Sequence, residues 1–109
     1  MREMQTRTRR RHESVMAVLT WVSPNVGGRK TPPTVRCYRS LSRFDEDPNW
    51  SRGVWDILVE FIDLPTFEAP SKVRISFASP GAPTDLLHTG NRFELREGKK
   101  VVARGQIDP

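Results

Sequence analysis

The stretch Asn91-Arg92-Phe93-Glu94-Leu95-Arg96-Glu97-Gly98-Lys99-Lys100-Val101-Val102-Ala103-Arg104-Gly105-Gln106 reads as a β-hairpin. Arg92–Arg96 and Lys100–Ile107 are its arms. Gly98 sits between them, where a short turn needs a residue at ease with positive φ. Toward the N-terminus, alternating runs keep giving way to turn chemistry. Ser79-Pro80-Gly81-Ala82-Pro83 breaks the chain, and Asp85–Leu87 after it reads as an isolated turn or a short covered segment. Lys72–Ala78 alternates, with Val73, Ile75 and Phe77 inward and Arg74 and Ser76 outward. Val54–Ile62 puts Trp55, Ile57, Val59 and Phe61 on one face and Asp56 and Glu60 on the other, and Leu64-Pro65 ends it. Asp45-Glu46-Asp47-Pro48-Asn49 is a polar loop, and Thr34–Arg39 is expected to be the second strand. Pro32-Pro33 removes two backbone donors, so no central strand passes through them. Val15–Val22 is the first strand, stopped by Ser23-Pro24, and Asn25-Val26-Gly27-Gly28 is a turn. Six strands and no helical period point to an all-β domain, a small antiparallel barrel or a sandwich. Barrel closure would remove exposed strand edges from a chain rich in Val and Ile. Periodicity does not choose between the two.

Two motifs do choose. Gly27, Gly28, Arg29, Thr31 and Pro32 form one loop pattern, and Phe93, Arg96, Glu97, Gly98, Val101 or Val102, and Gly105 form another near the C-terminus. In this order and at this separation they resemble the C-terminal (third) β-barrel domain of translation elongation factor Tu. The resemblance runs from Val15 to Ile107 and is dense at its two ends. Tyr38-Arg39 stand near that family's Tyr-Arg, displaced by about one residue. It implies a small six-stranded antiparallel closed β-barrel, standing alone. There are departures. Ser40-Leu41-Ser42 follows where the family has Pro-Gln-Phe, the segment Phe44–Trp50 replaces a Thr-Thr-Asp-Val-Thr-Gly stretch, and Glu94 replaces an Ala. These fall where the family meets its GTPase domain and transfer RNA, so transfer-RNA binding is not carried across.

At 109 residues the chain has room for one domain. Its single cysteine, Cys37, permits no disulfide framework. The longest apolar run, Val15–Leu19, is far short of the roughly 20 residues of a membrane span. A cytoplasmic protein with no membrane partner is expected. The formal net charge is +5, and residues 1–13 hold +3 of it through Arg2, Arg7, Arg9, Arg10 and Arg11 against Glu3 and Glu13. Those residues offer no apolar face to bury, so they read as a basic disordered leader ahead of a single domain spanning 14–109. A mitochondrial presequence would need an amphipathic apolar side, which is lacking. Arg7, Arg9, Arg10 and Arg11 read either as a nucleic-acid arm, as an inert tail, or as a product of start-site choice, Met16 opening the first strand.

Nothing in the sequence points to catalysis. The phosphate-cradling Gly-x-x-x-x-Gly-Lys-Ser/Thr pattern is absent, since Gly98-Lys99 is followed by Lys100 in a strand–strand turn. His12 lies in the loose leader and His88 in a turn, and two histidines and one cysteine do not make a metal site. Cys37 reads as a small buried hydrophobe and Asp45-Glu46-Asp47 as a solvated loop. No enzyme activity, cofactor, metal or small-molecule substrate is expected. The candidate binding surface is the Gly27, Gly28, Arg29, Lys30 loop, whose amides and cations suit an anion-binding concavity, joined by Lys99, Lys100 and Arg104 of the hairpin. Trp55 reads as core, and Trp50 as a possible aromatic contact beside Arg52. Two functions follow. One is RNA or ribosome association through these cations. The other is an interaction module for a specific protein partner, antitoxin- or immunity-like, which a patch around Trp50 and Phe67 would favour.

Overall fold

The computed structural model describes residues 13–48 and 54–108. Its strands are β1 (Val15–Trp21), β2 (Cys37–Phe44), β3 (Trp55–Phe61), β4 (Ser71–Phe77), β5 (Arg92–Glu97) and β6 (Lys100–Ile107). All neighbours are antiparallel, in the order β1-β4-β3-β2-β5-β6, and β6 returns to β1. Closure rests on β1, which pairs Ala17 with Val73 of β4 on one side and Leu19 with Gly105 of β6 on the other. The sheet is therefore a closed six-stranded barrel, with no edge left to recruit another chain.

Five strands lie within a residue of the positions that alternation gives. The second does not: the sequence places it at Thr34–Arg39, the structure at Cys37–Phe44. The reason is an inverted pattern. Ser40 and Ser42 point inward and are buried, while Leu41 between them is exposed. Register is fixed elsewhere, by Tyr38 opposite Val59 and by Phe44 opposite Phe93. A one-residue slip would turn Phe44 outward, at far greater cost than exposing one leucine. The two buried hydroxyls find carbonyls: Ser42 Oγ donates to Trp55 O at 2.7 Å, and Ser40 Oγ lies 3.3 Å from Arg96 O.

The interior is layered by size. Leu19, Ile57, Val59, Val73, Ile75, Leu95 and Val102 fill the middle, all fully buried. Rings close both ends. At one end Trp21 packs on Tyr38 and Phe61, with centroids 5.9 and 6.1 Å away. At the other Phe44 stacks on Phe93 at 5.1 Å and touches Phe77 at 5.6 Å. Such pairs add about 0.5–1.5 kcal/mol each beyond their buried area. Small residues make the room. A Cβ built on Gly105 would lie 2.4 Å from the Phe93 ring and 2.8 Å from Leu19.

Strand order also dictates the loops. β1 and β2 stand on opposite sides of the ring, as do β4 and β5, so each connecting loop crosses one mouth of the barrel. Loop 22–36 crosses one mouth, at the same end as loop 62–70 and the β5–β6 turn. Loop 78–91 crosses the other. The segment expected as an isolated turn or covered piece is a 3-10 turn, Thr84–Leu87, whose Leu86 and Leu87 are buried as a plug. Asn91 Nδ2 holds it by donating to Leu86 O at 2.8 Å. The chain enters β1 and leaves β6 at this second end, where Ala17 pairs with Ile107. Among the described residues no helix is long and apolar enough to cross a membrane.

Replacing Gly105 by Ala is expected to destabilise the barrel by about 1–3 kcal/mol through overpacking against Phe93. A urea unfolding curve measures this. The loss should shrink when Phe93→Leu accompanies it, because the Cβ then has no ring to meet.

Candidate functional site

The loop Gly27–Lys30 is a tight turn before it is anything else. A 3-10 turn at Pro24–Val26 is closed by Gly27 at φ 94°. The Gly27 amide donates to Pro24 O at 3.2 Å and the Gly28 amide to Ser23 O at 2.9 Å. Both amides that would cradle an anion are thus engaged by the turn itself. Gly28 is sterically required, since a Cβ there would fall 1.8 Å from Val22 O.

Arg29 leaves this turn toward the hairpin. Its Nη1 pairs with Glu97 Oε2, its Nε donates to Thr31 O at 2.9 Å, and its guanidinium lies 5.8 Å from the Tyr38 ring centroid. The Tyr38 hydroxyl donates to the same Glu97 oxygen at 2.5 Å. The crossing loop and β2 are locked to the hairpin, distant in sequence, on one carboxylate. Burial, then the hydrogen bond to Glu97 and its charge, push the Tyr38 phenol up to about 12. Burial acts to raise Glu97, but the Tyr38 hydrogen bond and the Arg29 pair outweigh it and hold the carboxyl below its ordinary range.

The other cations of the candidate surface divide. Lys30, Lys99 and Lys100 are exposed at the end where loop 22–36 crosses. Arg104 is exposed on the barrel wall, paired across strands with Thr20 and Glu94, and does not join them. The described residues hold twelve Lys or Arg and twelve Asp or Glu, so the whole formal excess of +5 falls outside them. Arg7, Arg9, Arg10, Arg11, His12 and Trp50 also lie outside the described residues.

The same end carries a groove of about 360 Å³, lined by residues 33–36 and 61–65. Its rim is aliphatic, with Val35 54%, Ile62 49% and Leu64 88% exposed. Phe61 N donates to Arg36 O at 3.1 Å, tying the two walls together. Pro33 and Pro65 fix φ on each wall. The sequence did carry a signal for it: Val35, Ile62 and Leu64 are apolar residues in stretches whose prolines mark connections. Of the pair Trp50 and Phe67, whose patch would favour a protein partner, Phe67 is partly buried against the core and Trp50 lies outside the described residues.

Elsewhere two readings are corrected. Cys37 is exposed rather than buried, on the outward face of β2. Asp47 is buried and accepts from Trp55 Nε1 at 3.0 Å, while Trp55 packs on the core as expected. His88, in its turn, meets Glu46 at 2.7 Å, and this hydrogen bond raises its pKa. Both side chains stand about half exposed on the open surface, with no enclosure to exclude water. No group of three or more His, Cys, Asp or Glu among the described residues is placed to hold a metal ion. No family model matches the chain, and comparison with curated proteins finds no match.

Tyr38 is the chain's one tyrosine, so ultraviolet titration reads its phenol directly. It should ionise near 12 rather than at 10, and Glu97→Gln should move it part of the way back, burial remaining. With a raised folded pKa, its share of stability is fully present below pH 10 and lost as pH rises toward about 12. Glu97, lowered on folding, adds stability above the carboxylate range that disappears as pH falls through its folded value. Unfolding curves of Glu97→Gln should be flatter on both limbs. A wild-type phenol titrating at its ordinary value would show that the carboxylate contact does not form.

Proposed function

We propose that this chain is a non-enzymatic protein-interaction module, built on a barrel like the C-terminal domain of elongation factor Tu, that meets its partner at the groove end. The observation that carries this reading is the cluster of Val35, Ile62 and Leu64 around one cleft. A lone exposed aliphatic is ordinary on any surface. Three on the rim of a cleft whose walls are set by prolines and a backbone hydrogen bond support a binding role. The triad of Arg29, Tyr38 and Glu97 then serves as scaffolding that holds the crossing loop in place.

RNA or ribosome association is the second reading. It is favoured by the charge excess, which belongs to residues 1–12 and Arg52. The barrel supports it less. The described residues are electrically balanced, and no aromatic ring among them is fully exposed for a base to stack on.

Leu64 is almost wholly exposed, so Leu64→Asp should leave folding intact. A stoichiometric protein captured by the immobilised chain should bind the Leu64→Asp form about tenfold or more weakly, as expected for a lost apolar anchor. A mixed RNA pool, applied at two salt concentrations to the full chain and to one starting at Ser14, tests the second reading. Salt-sensitive RNA binding lost on truncation, with no Leu64-dependent protein, would replace the first reading by the second.

A further inference from the structure

We propose that the groove between residues 33–36 and 61–65 takes an extended peptide segment of the partner in which apolar side chains alternate with carboxylates. The inference rests on the protein-binding reading and names the chemistry of what is bound.

Shape gives the first half. A cavity of about 360 Å³ sits at the small end of the roughly 300–1,000 Å³ typical of ligand pockets. Leu64 and Val35 stand on its rim rather than inside it, so an occupant that covers them must run past the cavity as well as into it. The amides of Val35 and Leu64 donate no hydrogen bond among the described residues. They offer main-chain donors to an extended backbone lying alongside, the contact by which strand-like peptides are held. Two prolines and the Phe61–Arg36 hydrogen bond hold the walls ready, which lowers the ordering cost of binding.

Charge gives the second half. Arg36 lines the groove, is exposed, and has no acidic partner among the described residues. Asp63, the groove's own carboxylate, accepts the Lys72 amide at 3.1 Å and is partly engaged. Lys30, Lys72, Lys99 and Lys100 are exposed at the same end, against Asp63 and Glu68. Lys100 faces Glu97 across the hairpin turn, and Glu97 reaches Tyr38, two residues beyond Arg36. Exposed cations therefore share this end of the barrel with an aliphatic cleft that Arg36 lines. A carboxylate-bearing segment is drawn to these cations at the groove end.

Fluorescence anisotropy with labelled synthetic peptides tests this. One peptide alternates leucine with glutamate, one leucine with lysine, and one serine with glutamate. The leucine–glutamate peptide should bind saturably, and the other two about tenfold or more weakly. Leu64→Asp and Arg36→Glu, both at exposed positions and checked for folding by circular dichroism, should each weaken it by a similar factor. Arg36→Glu should also gain affinity for the leucine–lysine peptide. Equal binding of the lysine peptide to wild type, or binding that ignores both substitutions, would overturn the proposal. Failure of every peptide, while a protein is still captured in a Leu64-dependent way, would overturn it and leave the function reading standing.

Discussion

Space inside a six-stranded barrel is the constraint on which the rest of this structure depends. A ring this small cannot line every inward position with large side chains, so size is rationed along the axis. Aliphatics occupy the middle, and aromatic rings sit at the two ends, faced by residues that take almost no room. Gly105 opposite Phe93 is the clearest case, and Ser40 and Ser42 on β2 do the same work with hydroxyls that reach carbonyls. With the interior filled in this way, both mouths can be crossed by loops instead of being left open.

The crossing of loop 22–36 sets the character of one end. A long connection over a barrel mouth carries many backbone groups and must be pinned. Here the pins are local at one point and distant at another. Gly27 and Gly28 fold back on Pro24 and Ser23, and Arg29 then reaches across to Glu97, which also takes the Tyr38 hydroxyl. This arrangement engages an arginine that would otherwise serve as a free cation. It leaves the end with an aliphatic cleft lined by Arg36 and Asp63, and lysines exposed at the same end, rather than a uniformly basic face.

Much of the fold was legible in the residues. Val54–Ile62 and Lys72–Ala78 alternate cleanly because one face of each is buried and the other is wet, and Gly98 marks the hairpin turn by its positive φ of 62°. β2 was illegible for a physical reason: its buried positions are serines and its exposed one a leucine, so hydropathy pointed the wrong way. Closure was absent from the periodicity, since no local pattern records that β1 has two partners, and was expected only from the resemblance carried by the Gly27–Pro32 loop and the hairpin. The pairing of Arg29 with Glu97 spans 68 positions and leaves no trace in spacing. Asp47 looked solvated because its partner Trp55 comes from the next strand. The groove was visible only as aliphatics out of place among prolines.

β1 begins and β6 ends at the mouth covered by Leu86 and Leu87, with Ala17 beside Ile107. The groove opens at the other mouth. A tether joined where β1 begins or where β6 ends therefore departs from the blind side of the barrel. Attached to a surface, a tag or a neighbouring domain, the module presents its cleft outward like a plug held by its cord.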